Sequence, residues 1–383
     1  MDKLRVAVIG CGQIAQTHFH NYASMGNDIE LIAVCDINEQ KANDAAQRFG
    51  AKHVYTDARE MLKRDDIDSV DVCVHNNKHA ALTIMALEAG KNVYCEKPMA
   101  GTYADAVKMY ETAKKCGKKL AIQLNEIFST EARIAKKLID AGELGNLYHA
   151  RSVGLRRRGR PYVDGYGNPA FVNSKICSQG ALFDMGVYHI SQILYLLGNP
   201  EVASVSGSIV QKMPMDGKRK ADSGFDVEEF GTGYVRMKNG VIMDIIEAWS
   251  LQAGSLGSSM VQGDAGGIQL SPFNFSKTIA DMDFDCSINK DGAQFRFSTV
   301  NGEGDLYQGP QRHYICHQLG RVDLIPLAEI ALNTMFISEG IVLSSKLGRE
   351  VTAEEIIADG RTRMFKGDEI FINDNDFLPI GKK

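Results

Sequence analysis

Hydrophobic positions in the first 125 residues alternate between two periods. Short apolar, β-branched runs at 4–9, 29–35, 70–74, 92–95 and 119–124 predict strands. Between them, residues 14–25, 39–49, 78–89 and 103–116 repeat their apolar positions at helical spacing. Strands that alternate with amphipathic helices predict parallel βαβ units with both sheet faces covered. Right-handed crossovers then make a doubly wound sheet the natural topology.

After Asn125 the pattern changes. A helix is predicted over 130–141, stopped by Gly142, and a strand over 147–153. Residues 156–173 form a basic, Gly- and Pro-containing segment without periodicity, and loops of that length are usually functional. One helix is predicted over 181–197, ended by Gly198-Asn199-Pro200. From 202 to about 297 the pattern is mostly strands with glycine turns. Residues 227–237 and 241–249 read as a hairpin over a two-residue Asn239-Gly240 turn. Helices follow at 328–347 and near 354–365, and the polar tail after Ile372 is predicted to order only where it docks. The chain thus divides into an α/β unit, 1–124, and an α+β unit, 125–383, with a large, open, mostly antiparallel sheet and helices on one side.

Bulk properties exclude several classes. A chain of 383 residues suits two cores. A net charge of −5 gives no electrostatic case for nucleic acid or an anionic membrane as partner. No stretch approaches the roughly 20 apolar residues of a membrane span, and the N-terminus lacks signal-peptide character. The eight cysteines are scattered, with no CxxC pair, and read as buried free thiols in a reducing cytoplasm. His75 and His79, and likewise His313 and His317, stand four apart without a patterned third ligand, so no metal is predicted.

The chemistry begins at residue 10. A strand leads into Gly10-Cys11-Gly12-Gln13-Ile14-Ala15, the GxGxxA pattern between strand and helix that holds a dinucleotide. Gly10 permits the tight turn, Gly12 keeps side-chain atoms away from a pyrophosphate, and Ala15 lets the helix pack closely. The first-turn residues Gln13 and Ile14 belong to a helix N-terminus with free N–H donors. The next strand ends at Asp36, whose carboxylate can accept both ribose hydroxyls and repels a 2′-phosphate, favouring NAD over NADP. Glu96-Lys97-Pro98 closes another strand on the ligand-binding edge, where the Lys97 ammonium could stabilise an alkoxide as hydride leaves.

These two motifs, with a later Gly180-Ala181-Leu182-x-Asp184-x-Gly186-x-Tyr188, resemble the Gfo/Idh/MocA family of sugar and polyol oxidoreductases. The resemblance spans most of the chain and is strong to about residue 200. It implies a Rossmann domain, an open-sheet second domain used for dimer or tetramer contacts, and catalysis by Lys97, Asp184 and Tyr188. Helical geometry bears on the last pair. Four residues advance about 400°, so Asp184 and Tyr188 share a face, whereas His189 lies about 140° from Asp184. Tyr188 is therefore preferred for proton transfer, and a local irregularity would pass the role to His189. Lys97 is expected to lower the Tyr188 pKa from its usual value near 10.

The same resemblance sets Asn76, His79, Glu96 and Asn125 near the nicotinamide half of the cofactor. The usual Pro before His79 is missing, with His75-Asn76-Asn77 in its place. Within Arg156-Arg157-Arg158-Gly159-Arg160-Pro161, Arg156 and Arg158 are candidate substrate contacts, as is Lys175. The leading expectation is NAD-dependent hydride transfer at a secondary alcohol of a sugar, glycoside or polyol. The alternatives are a glycosidase working through transient C3 oxidation on retained NAD, and a non-catalytic sugar sensor.

Overall fold

The computed structural model describes residues 3–379. The first layer contains β1 (Leu4–Ile9), α1 (Gln13–Ser24), β2 (Ile29–Cys35), α2 (Glu39–Phe49), β3 (His53–Tyr55) and α3 (Ala58–Leu62). It continues through β4 (Ser69–Val72), α4 (Asn76–Glu88), β5 (Asn92–Cys95), α5 (Tyr103–Cys116) and β6 (Leu120–Ile122). All six strands run parallel, in the order β3-β2-β1-β4-β5-β6. That is the dinucleotide-binding order, with the ligand crevice where it reverses beside β1. Val6, Ala7, Val8, Val70 and Val72 are buried because helices cover both faces. β3 and α3 carried no clear sequence pattern: β3 is a three-residue edge strand without a fully buried side chain.

The second layer opens with α6 (Thr130–Asp140), β7 (Leu147–Leu155), α7 (Ser174–Cys177), α8 (Ala181–Asp184), α9 (Gly186–Leu196), β8 (Val202–Val210) and α10 (Gly217–Ser223). It goes on through β9 (Phe230–Met237), β10 (Ile242–Ala248), β11 (Met260–Gly263), β12 (Gly267–Leu270), β13 (Phe273–Ile279) and β14 (Met282–Cys286). α11 (Lys290–Phe295), α12 (Pro310–Gln318), α13 (Leu327–Leu347), β15 (Val351–Thr352) and α14 (Ala353–Asp359) complete it. Nine strands form one sheet, β14-β13-β12-β11-β7-β10-β9-β8-β15, antiparallel except for the β7–β10 pair. α13 packs on β8 and β9 and also touches α5 and β6, so it wedges between the two sheets.

Three sequence expectations need correction. α13 is long and apolar enough to cross a membrane, contrary to the reading above, but 83% of its most apolar window is buried inside the fold. Its hydrophobicity serves two packed faces. The β9–β10 connection has three residues, because Met237 N–H donates to the Val241 carbonyl (2.9 Å) and Gly240 takes φ 89°. A left-handed glycine closing such a loop keeps the strands twisted correctly. The helix predicted over 181–197 is broken at Met185 into α8 and α9, for a reason that belongs to the site.

The basic segment before α7 is ordered around one arginine. Arg160 is 2% exposed and forks onto Asp164 through Nε (2.9 Å) and Nη2 (3.0 Å), and onto Glu229 through Nη1 (2.9 Å). Its remaining donors reach the carbonyls of Met213 and Pro214. Arg160→Ala leaves two buried carboxylates uncompensated and should destabilise the protein by about 3–5 kcal/mol. Denaturant unfolding measures this, and Arg160→Lys should recover only part because it lacks the planar fork.

Candidate active site

A cavity of about 770 Å³ opens along the carboxyl ends of β1, β2, β4 and β5. Gly10 takes φ 94°, and a Cβ there would lie 2.3 Å from the Cys73 carbonyl oxygen, so the turn admits no side chain. Gly12 caps α1, with open space where its Cβ would point. α1 has no side-chain cap and no acid in its first turn. Its leading N–H groups therefore remain available to an anion. Gln13, Ile14 and Asp36 line the same cavity. Asp36 accepts from the Cys11 and Asn38 amides, both at 2.8 Å, while Asn38 caps α2. Capping thus does not require Asp36, whose carboxylate fixes the glycine turn against β2. These features suit a dinucleotide pyrophosphate and its adenosine ribose.

Lys97 emerges from β5 into the far end of the cavity. Its Nζ donates to Asp184 Oδ1 (2.8 Å) and to the Asp184 carbonyl (3.2 Å), and lies 4.7 Å from the Tyr188 ring centroid. This explains the helix break. In a continuous helix the Tyr188 N–H would bond to the Asp184 carbonyl. Here it bonds to Met185 (3.1 Å), and the freed carbonyl receives the lysine. Asp184 Oδ2 accepts from the indole of buried Trp249 (3.0 Å), with Arg156 Nη1 4.0 Å away. Glu228 supports the turn from below, accepting from the Gly180 and Leu182 amides (2.8 and 3.1 Å). Burial pushes its carboxyl up to about 7.

Electrostatics follow from this packing. Burial disfavours a charged Lys97, but Asp184, Tyr188 and Glu96 outweigh it and raise its pKa. Burial likewise pushes Asp184 up, yet Lys97, Arg156 and Trp249 hold it below the usual carboxylate range. For Tyr188 the balance falls the other way. Burial raises its pKa more than Lys97 lowers it, so the phenol keeps its proton at neutral pH. The expectation of a lowered tyrosine pKa is corrected accordingly.

Beneath the cavity floor, His18 bridges two carboxylates, Nδ1 to Asp71 and Nε2 to Glu96, both at 2.8 Å. Burial opposes its charge, but Asp71 raises its pKa well above the ordinary value. Glu96 also accepts from the Lys97 amide (3.0 Å), so both its oxygens are engaged. Burial acts against this carboxylate, yet its bond to His18 keeps its pKa below the ordinary value. His18, Asp71 and Cys73 approach closely enough to suggest metal ligands, but they hydrogen-bond one another.

Other predicted positions separate. Asn76 and Arg156 line the cavity, Asn76 with its amide tied to the Cys177 carbonyl (2.9 Å). His189 does not line it. Its Nδ1 faces Glu247 on β10 at 3.0 Å, so proximity to Lys97 belongs to Tyr188. His79 is buried between the carbonyls of Pro98 (2.7 Å) and Val74 (2.9 Å), which makes it a brace behind the cavity. Asn125 is exposed and accepts from Gln123. Arg158 lines a separate, smaller pocket beside Arg219, and Lys175 lies over the Phe377 ring at 4.4 Å. Trp249, Tyr166, Phe171 and tail residues Ile370 to Asp374 escaped sequence reading. Trp249 is the only tryptophan in the chain, a weak signal, and the tail carries none.

Residues 4–124 match the family model described as oxidoreductase family, NAD-binding Rossmann fold, and residues 132–269 match the GFO/IDH/MocA C-terminal domain. D-glucoside 3-dehydrogenase of Escherichia coli (strain K12) is 35% identical over 279 residues, 70% of this chain and 77% of that protein. Glucose-6-phosphate 3-dehydrogenase of Bacillus subtilis (strain 168) is 30% identical over 247 residues, 63% of this chain and 67% of its own. A structure of levoglucosan dehydrogenase in complex with NADH and levoglucosan shares the fold, with TM-score 0.77 and 22% identity, covering 92% of this chain and 100% of that one.

Gly10→Ala tests the cradle. A Cβ pressed against the Cys73 carbonyl at φ 94° must distort the turn. The dissociation constant for NAD, measured by calorimetry, should rise by about tenfold or more, since the left-handed conformation alone costs roughly 1–2 kcal/mol.

Proposed function

Since the chain belongs to the GFO/IDH/MocA oxidoreductase family and is an NAD-dependent dehydrogenase, we propose that it oxidises a secondary alcohol of a sugar, glycoside or polyol at Lys97, Asp184 and Tyr188. One observation carries this reading: Lys97 Nζ converges with Asp184 and Tyr188 in the wall of the cavity that also holds the Gly10–Gly12 cradle. The relatives named above, two of them 3-dehydrogenases of glucose derivatives, support the substrate class.

Bound NAD supplies the hydride acceptor. Asp184 holds Lys97 charged and aimed into the cavity, where its ammonium can stabilise an alkoxide. Tyr188 Oη exchanges the proton with the substrate hydroxyl. Arg156 and Tyr166, which bond to each other, form the side wall that a sugar hydroxyl would meet. Substrate contacts are therefore assigned to Lys97, Asp184, Tyr188 and Arg156, and not to Arg158 or Lys175.

We further read the chain as a cytoplasmic homodimer or homotetramer. In support, the sheet face opposite α9 and α13 bears half-exposed His149, Arg151, Tyr234 and Asp244, and all eight cysteines are unpaired.

Incubation with NAD and a panel of glycosides should yield NADH and a keto-sugar in equal amounts. Free sugar released without net NADH would sink the dehydrogenase reading in favour of a redox-neutral glycosidase. Lys97→Ala should lower kcat about 100- to 10,000-fold. A loss confined to NAD binding would remove the catalytic assignment.

The pH dependence has a definite sign. The Tyr188 pKa is raised above 10, so its phenolate appears only in the alkaline range. Alcohol oxidation should therefore climb with pH through and beyond pH 9, while ketone reduction, which uses the phenol, stays flat until then. Tyr188→Phe should abolish the climb, and a profile rising near pH 6–7 would point to a histidine instead.

A further inference from the structure

The polar tail does not trail into solvent. After α14, the chain turns back across the first sheet and is tied down first at buried Asp105. That carboxylate accepts from the amides of Arg363 (2.9 Å) and Met364 (3.1 Å) and from the Thr362 hydroxyl. Arg363 Nη1 donates to the carbonyls of Ser174 (3.1 Å) and Ser178 (2.9 Å), and Phe365 is buried with its amide on the Asn77 carbonyl. Up to Phe365 the tail is therefore held by backbone and buried groups.

Beyond Phe365 the attachment changes character. Residues 367–371 and 374–377 form two short 3₁₀ turns whose backbone hydrogen bonds are local. Contacts to the rest of the protein combine two buried apolar anchors, Ile370 and Leu378, and a Phe377 ring stacked on Phe365 with a set of charged side chains. Arg59 pairs with Asp368 (3.0 Å) and lies 4.4 Å over the Phe371 ring. Lys78 donates to the Ile372 carbonyl (2.7 Å) and sits 2.8 Å from Asp374 Oδ1, with His75 3.3 Å from the other oxygen. The Arg59–Asp368 pair is solvent-exposed and therefore weak, whereas Lys78 and Asp374 are largely shielded and form the latch proper.

What this segment covers is the dinucleotide cleft. Ile370, Phe371, Asn373 and Asp374 line the same cavity as Asp36, Thr56 and Ala58, on the side where Asp36 marks the adenosine ribose. We propose that residues 368–377 are a strap forming the outer wall of the NAD site, which must unlatch for the cofactor to enter or leave. The substrate end of the cavity, at Lys97 and Tyr188, is walled instead by Arg156, Tyr166 and Phe171. The strap thus governs cofactor exchange separately from substrate exchange. The proposal rests on the NAD reading of the cleft.

Stopped-flow fluorescence of NADH displaced from the full-length protein tests it. Asp374→Asn weakens the latch and should speed NADH dissociation by about tenfold, the effect of losing one favourable charged contact. Phe371→Ala should speed it similarly. Unchanged rates in both variants, with NADH binding intact in the unsubstituted protein, overturn the strap. Failure of the unsubstituted protein to bind NADH would instead overturn the cofactor reading. Hydrogen exchange on the unsubstituted protein needs no variant: NADH should slow exchange across residues 368–377 as well as at residues 10–15. Protection at 10–15 alone also overturns the strap.

Discussion

An ammonium group drawn out of water is tolerable only when its charge and its hydrogen bonds are met, and Lys97 has them met by Asp184 across two different sheets. The lysine belongs to the end of β5, whereas the aspartate ends α8 and is steadied by Trp249 and Glu228 from the second sheet. The pair is 14% and 20% exposed, so it is shielded but still open to the cavity. Its cost is offset by the indole donor and by the Asp184 carbonyl, which the helix gives up. Separating the sheets would strand both charges, which ties the integrity of the site to the packing around α13.

The lysine is also braced from below. Glu96 holds the Lys97 amide with one oxygen and His18 with the other, and His18 continues to Asp71. His18 lies in the second turn of α1, the helix whose N-terminus lines the glycine end of the cavity. One buried charge alternation, Asp71–His18–Glu96, therefore couples α1 to the strand that presents Lys97. With an imidazolium between two carboxylates, each charge in the network has an opposite neighbour, which lessens the cost of burying it.

The cavity separates two tasks along its length. Its glycine end offers backbone N–H groups and a carboxylate, with the tail as outer wall. Its lysine end concentrates titratable side chains whose protonation is set by burial against pairing. Lys97 and Asp184 are held charged by each other, and Tyr188 is held neutral because burial raises its pKa by more than Lys97 lowers it.

Five of the six strands of the first sheet and the cofactor turn were legible in the sequence alone, and the family resemblance singled out Lys97, Asp184 and Tyr188. Strand and helix periods are local properties, and a glycine turn between them is recognisable from a few adjacent residues. The sequence preferred Tyr188 to His189 on helical geometry but kept both in play, because they are neighbours in the chain and a broken helix could favour either. The tertiary structure gives them different neighbours, with Lys97 beside Tyr188 and Glu247 beside His189. It likewise sorted Arg156, at the cavity, from Arg160, locked between Asp164 and Glu229, although both lie in one basic run. The docking of the polar tail over the cofactor cleft had no sequence signature, since its partners Arg59, Lys78 and Asp105 are hundreds of residues away. Contacts of that range are decided by how two sheets pack, and composition and period do not encode them.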